Sequence, residues 1–107
     1  TLVRWAIERL DCHTPIVSAS SLDIPGTQTE MLINICRATQ ADGYLSGPGG
    51  RRYMDLAAFE AAGIAVIWQE FTAPVYVQPF AESEFVPDLS VVDALFCCGP
   101  RAADYVH

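Results

Sequence analysis

Gly43-Tyr-Leu-Ser-Gly-Pro-Gly-Gly-Arg-Arg52 reads as a short apolar strand, Gly43 to Ser46, that runs into a glycine-rich turn carrying a pair of arginines. A helical pattern follows from about Arg52 to Ala62, with Leu56, Phe59 and Glu60 on its turns and Gly63 placed as its stop. Ile64 to Phe71 is the strongest strand signal, apolar and β-branched at its start and polar at Gln69 and Glu70. Upstream, Pro15 to Ala19 is a short β-branched run. Thr27 and Glu30 are then spaced as a capping box for a helix whose apolar face is Met31, Leu32, Ile35 and Cys36, up to about Gln40. The order is β-α-β-α-β, which predicts an α/β fold in three layers with a short parallel sheet as its core.

Loops after parallel strands emerge on one edge, where α/β proteins place their ligands. The expected edge segments are Ser18 to Thr27, Ser46 to Arg52 and Glu70 to Tyr76. In the turn itself, Gly47, Gly49 and Gly50 permit positive φ and close approach, while Pro48 stiffens the chain and has no N–H. Their amides, with Arg51 or Arg52, suit a phosphate or carboxylate. Both standard nucleotide fingerprints fail. A Walker loop needs Gly-Lys-Ser/Thr where Gly50 is followed by Arg51 and Arg52, and a dinucleotide motif begun at Gly47 meets Arg52 where its third glycine belongs. The bland alternative is a tight strand-to-helix turn with solvated arginines.

Composition narrows the class. At 107 residues and 51% hydrophobic content the chain buries one core, so a single domain over 1–107 is expected. A net charge of −7 argues against non-specific nucleic-acid binding, which draws on Lys and Arg. No apolar run approaches the roughly 20 residues that span a bilayer, and no charged-then-apolar leader opens the chain, so a cytoplasmic location is expected. The opening is nonetheless unusual. Thr1 stands where a methionine would, and Val3, Ala6, Ile7 and Leu10, widened by Leu2 and Trp5, form a helical stripe at once, as expected of a piece of a longer protein.

Cys97 and Cys98 are adjacent, Cys12 and Cys36 isolated, and His13 and His107 far apart in sequence, so no zinc spacing is present. Neither a metal nor another cofactor is expected, and reduced, packed thiols are. Thr72 to Leu89, with Pro74, Pro79, Pro87, Tyr76, Phe80 and Phe85, reads as an irregular Pro/aromatic loop with a short extended piece at Val75 to Gln78. Ser90 as N-cap with Asp93 at N3 opens a C-terminal helix through Leu95 and Phe96, which Gly99-Pro100 ends. Arg101 to His107 suits one last helical turn.

These residues together resemble a known family. Ser-Gly-Pro-Gly-Gly-Arg-x-Tyr at 46 to 53, Gln69-x-Phe71, Pro74-Val-Tyr76-x-Gln78, Phe85-Val-Pro-Asp-Leu-Ser-Val-Val-Asp93-x-Leu-Phe and Cys98-Gly-Pro, in that order, look like the carboxyl-terminal half of the WbqC-like protein family. The resemblance covers about Pro15 to Gly99 and implies that an amino-terminal half, with a His-Gln-Pro-x-Tyr type of motif, is missing. It further implies a role in bacterial O-antigen and surface-polysaccharide biosynthesis, with glycine or aminoacyl transfer to a sugar as the suggested activity. The sequence departs from the pattern at Ala73, where His is common, and at Cys97-Cys98, where a more polar pair is; losing that His weakens a general base from the loop. Two functions follow as expectations. In a transferase, Ser46, Gly47, Gly49, Gly50, Arg51 and Arg52 hold a nucleotide sugar or aminoacyl donor, Tyr53, Gln69, Tyr76, Gln78 and Ser90 orient substrate, and Asp88 or Asp93 is the base. In a non-catalytic assembly module, Tyr76, Phe80 and Phe85 contact a partner or the missing half.

Overall fold

The computed structural model describes residues 1–79 and 84–106, and Phe80 and His107 therefore lie outside the described residues. The chain forms two compact units, one of Ile16–Phe71 and one of Thr1–Pro15 with Thr72–His107.

In the first unit, β1 (Gly43–Ser46) and β2 (Ala65–Trp68) pair in parallel, from Gly43 opposite Ala65 to Ser46 opposite Trp68. The ladder is extended at both ends, by Ala65 N–H donating to Asp42 O at 2.9 Å and Gln69 N–H to Ser46 O at 2.8 Å. Helices α2 (Gln28–Ala38) and α3 (Leu56–Ala61) complete the unit. Their inward residues Ile33, Cys36 and Phe59 form one core with Met54 and Ile64, against which Tyr44, Val66 and Trp68 of the strands pack. Phe59 is fully buried and stacks on Tyr44 at 5.5 Å between ring centroids.

Among the described residues the sheet has two strands, and the three-layer β-α-β-α-β core expected from sequence is reduced to β-α-β with one helix before it. The missing strand is the one read at Pro15 to Ala19. Pro15 has no N–H for a ladder. The serines that follow bond locally instead: Ser21 N–H and Oγ–H both donate to Ser18 O, at 3.0 and 2.7 Å, and Leu22 N–H donates to Ala19 O at 3.2 Å, closing a 3₁₀ turn at Ala19–Ser21.

Boundaries moved for equally local reasons. The turn winds into a 3₁₀ helix at Pro48–Arg52, and α3 begins only after Asp55, whose Oδ1 accepts from Ala58 N–H at 3.1 Å. Thr27 occupies the N-cap position of α2 with extended backbone, but its side chain makes no cap bond, so the expected capping box is not formed. Three helices end alike. Gly63 N–H bonds Glu60 O and Ile64 N–H bonds Phe59 O, both at 3.0 Å, a Schellman ending with Ile64 packed on Phe59, which is why β2 starts a residue later than read. Helix α2 repeats this with Gln40 in the left-handed position (φ 58°), and α1 (Leu2–Arg9) with Asp11 (φ 54°).

The second unit packs α1, α4 (Val91–Cys98) and α5 (Ala102–Val106) around Ala6, Leu95 and Ala102, joined by Trp5, Leu10, Val91 and Cys98. Gly99 turns the chain with φ 56° into a 3₁₀ turn at Gly99–Arg101. Residues 72–79 form no regular element, yet Tyr76 and Gln78 are partly buried while Val75 and Val77 between them are 72% and 82% exposed, the alternation of an extended segment.

Gln40 is the one non-glycine of these endings that follows the longer helix α2, and its Cβ opposes the left-handed conformation. Gln40→Gly is expected to raise stability by about 0.5–1 kcal/mol, read as a shift in urea midpoint at unchanged slope.

Candidate functional site

Each unit holds a group of the expected site residues. In the first, the carboxyl ends of both strands meet the turn. Ser46 is buried and its Oγ–H donates to Gly47 O at 3.0 Å; Gln69, next after β2, is exposed and bonded through its backbone to Ser46. The glycines of the turn do not adopt positive φ, contrary to the use expected for them: the left-handed glycines are Gly26, Gly63 and Gly99. Gly50 is needed for space. A Cβ there would collide with Ser46 Oγ and stand 2.9 Å from Met54 Cε and 3.3 Å from Trp68, whereas Gly47 and Gly49 face open space. Gly50 N–H is occupied inside the turn, donating to Gly47 O at 3.1 Å, and Tyr53 N–H donates back to Gly50 O at 3.2 Å.

The arginines differ. Arg51 lays its guanidinium over the Trp68 ring, 4.9 Å from the centroid, while Arg52 and Tyr53 are exposed without that support. A guanidinium held by its face keeps its edge N–H donors available for a carboxylate or phosphate, and the stack is worth roughly 0.5–1 kcal/mol at an exposed site. Trp68 was missing from the expected residues. Its place follows from the parallel register, which sets Ser46 opposite Trp68 and puts an indole at the foot of the turn.

In the second unit, Tyr76, Gln78 and Asp93 form one hydrogen-bonded node. Tyr76 OH donates to Asp93 Oδ2 at 2.6 Å and Gln78 Nε2 to the same oxygen at 3.1 Å, while Cys97 Sγ, one turn along α4, donates to Oδ1 at 3.7 Å. Gln78 also pairs with the backbone of Val86, Nε2 donating to Val86 O at 2.9 Å and Oε1 accepting from Val86 N–H at 3.0 Å. A side-chain amide thus stands in for a peptide group and ties the two sides of the loop together. Phe85 and Tyr105 meet the Tyr76 ring edge-on, with centroids at 5.5 and 5.9 Å.

The electrostatics follow from these bonds. The Tyr76 hydrogen bond holds the Asp93 carboxyl below its ordinary range, and the same bond, with burial and the nearby charge, pushes the Tyr76 phenol up to about 12. Burial first, then the Asp93 charge, raises the Cys97 thiol. A carboxylate with both oxygens engaged and a lowered pKa is a weak base, and a raised thiol is a poor nucleophile. The bonds of the node include neither Asp88 nor Ser90. Asp88 is exposed with φ 60°, and Ser90 Oγ accepts from Val92 N–H at 3.3 Å as the N-cap of α4. Among the described residues no group of His, Cys, Asp and Glu is arranged to hold a metal ion, and no helix is long and apolar enough to cross a membrane.

The model of the WbqC-like protein family matches residues 1–105, both units included. The chain belongs to the WbqC-like protein family. An uncharacterized protein, Rv1507c, of Mycobacterium tuberculosis (strain ATCC 25618 / H37Rv) is 32% identical over 99 residues, which are 92% of this chain and 42% of that protein. The WbqC-like chain therefore spans about two fifths of the length of the curated relative it matches. No solved structure matches it.

Two outcomes test these local arrangements. Gly50→Ala is expected to cost about 1–3 kcal/mol by overpacking, whereas Gly49→Ala stays within about 0.5 kcal/mol, both by urea unfolding. The node predicts a pH signature. Asp93, depressed in the fold, contributes stability above its unfolded pKa, lost as pH falls through its folded value. Tyr76, raised in the fold, contributes stability below the ordinary 10.0, lost as pH climbs towards about 12. The melting-temperature gap between the native protein and Tyr76→Phe should be widest near neutrality and close in both directions; a gap that ignores pH contradicts the node.

Proposed function

We propose that the turn Ser46 to Tyr53, with Gln69, is a binding site for a small anionic ligand of the nucleotide-sugar or aminoacyl-donor class. In this reading the WbqC-like chain serves as the carboxyl-terminal part of a cytoplasmic transferase of bacterial surface-polysaccharide biosynthesis, O-antigen included. The observation that carries the site is the Arg51 guanidinium stacked on Trp68 at the carboxyl end of the parallel pair. That edge is where α/β proteins take their ligands. A stacked arginine is also a preformed, bidentate partner for phosphate or carboxylate in a chain whose net charge is −7 and whose surface otherwise repels anions. Arg52 supplies a second charge one residue on, and the buried Ser46 with the packed Gly50 fixes the path of the backbone between them.

The transferase chemistry itself rests on the family's suggested activity. Of the two candidate bases, Asp88 is exposed and outside the hydrogen-bonded node, whereas Asp93 is committed to Tyr76, Gln78 and Cys97. A second reading, an assembly module without catalysis, is favoured by the exposed Val75 and Val77, which present an apolar edge on an extended segment. A strictly monomeric species in sedimentation, with no partner captured, would count against it.

The test of the first reading is thermal shift of the intact protein with UDP-sugars, aminoacyl donors and inorganic pyrophosphate. A ligand at one hundred times its Kd stabilises by about 2.7 kcal/mol. Arg51→Ala is expected to weaken affinity by tenfold or more, about 1.4 kcal/mol, and Arg51→Lys to restore only part, since it lacks the planar fork. Unchanged shifts in Arg51→Ala and Arg52→Ala overturn the anion site.

A further inference from the structure

The two faces of the short sheet are treated unequally. One face presents Tyr44, Val66 and Trp68 to the core, and both helices of the unit pack there, α2 through Ile33 and Cys36 and α3 through Phe59. The opposite face is just as apolar and is open. Leu45 and Ile67 are paired in register at its centre, 63% and 54% exposed, with Gly43 and Ala65 beside them. Ile67 leans across Gly43, its Cδ1 standing 3.3 Å from where a Cβ would be, so the patch is flat and continuous rather than a pair of separate side chains. A Schellman ending feeds the chain straight into β2.

Parallel strands joined by a crossover are covered on both faces, because their alternating residues are apolar in both directions. Here Leu45 and Ile67 carry that second set. The helices of this unit do not supply the layer that would cover them, since α2 and α3 are both used on the other side. The curated relative offers where it comes from, as 42% of its length matches this chain and more than half lies outside.

We infer that the Gly43, Leu45, Ala65 and Ile67 face is the seat of an apolar helix from the part of the same polypeptide outside these 107 residues, which completes the third layer of the fold. The inference rests on the reading of the chain as one part of a longer protein. A helix is the fitting element because a flat, slightly twisted pair of parallel strands presents a row of branched aliphatics, and an amphipathic stripe of period 3.6 lies along such a row. A second copy of the chain is the rival occupant, and a bare face the other.

Photocrosslinking of the intact gene product separates these. With p-benzoylphenylalanine placed singly at Leu45 and at Ile67, and at the exposed Glu60 of α3 as control, irradiation is followed by mass determination and peptide mapping. Crosslinks from positions 45 and 67, at monomer mass, to peptides outside the 107 residues are expected, with none of these from position 60. Crosslinks at dimer mass, crosslinks only within the 107 residues, or no crosslinks overturn the inference. Because a bulky probe can disturb packing, Leu45→Cys is the second variant: its maleimide labelling in the folded protein, located by mass spectrometry, should be at least roughly tenfold slower than that of Glu60→Cys. Equal rates contradict a covered face. Thermal shift with Arg51→Ala is scored on the same preparations, so loss of the anion site and loss of the helix seat register as different results.

Discussion

The parallel pairing of Gly43–Ser46 with Ala65–Trp68 is the constraint on which the rest of the first unit depends. Parallel neighbours cannot be joined by a tight turn, so the intervening residues must leave the sheet, cross it and return. The crossover is short. It consists of the Pro48–Arg52 turn and the six residues of α3, and it closes only because Asp55 caps the helix start and Gly63 reverses the chain at its end. Phe59, carried on that helix, is pressed onto Tyr44 of β1, and the core forms around the contact. The same pairing sets Ser46 beside Trp68, which leaves Gly50 no room for a side chain and gives Arg51 an indole to lie on. Fold and candidate site thus share one cause.

The second unit is organised by Asp93 rather than by a sheet. An irregular proline-rich segment has few backbone partners of its own and needs side chains to fix it. Tyr76 and Gln78 supply them, reaching Asp93 on α4 while Gln78 also clamps Val86. The carboxylate accepts three bonds, and this explains why it is held acidic and why the phenol opposite is held protonated. Through these bonds Tyr76, Gln78 and Asp93 hold the loop to α4.

Much of the first unit was legible in the sequence because its signals are local. Gly43 to Ser46 and the helix stop at Gly63 appear where periodicity and capping rules place them, as does the N-cap at Ser90 in the second unit. The strand read at Pro15 to Ala19 failed because serines two and three residues apart satisfy one another, a competition that a count of β-branched residues does not register. The capping box at Thr27 is not formed, and Gln28, the first residue of α2, stands at φ 51°, outside the helical geometry that the box requires. At the site, the arginines announced themselves, but the Trp68 stack and the crowding at Gly50 depend on register between strands nearly twenty residues apart, which composition does not carry.

The most direct measurement is a ¹H–¹⁵N correlation titration of the intact protein with UDP-glucose, with inorganic pyrophosphate as a plain anion, following backbone amides and the Arg51 and Arg52 Nε–H signals. An anion site at the carboxyl end of the parallel pair predicts saturable shifts concentrated in Ser46 to Tyr53, Gln69 and the Arg51 Nε–H, with the Trp68 indole responding as its stacked guanidinium is engaged. Saturable shifts that leave those residues still and gather elsewhere, or none for any anion, would contradict it.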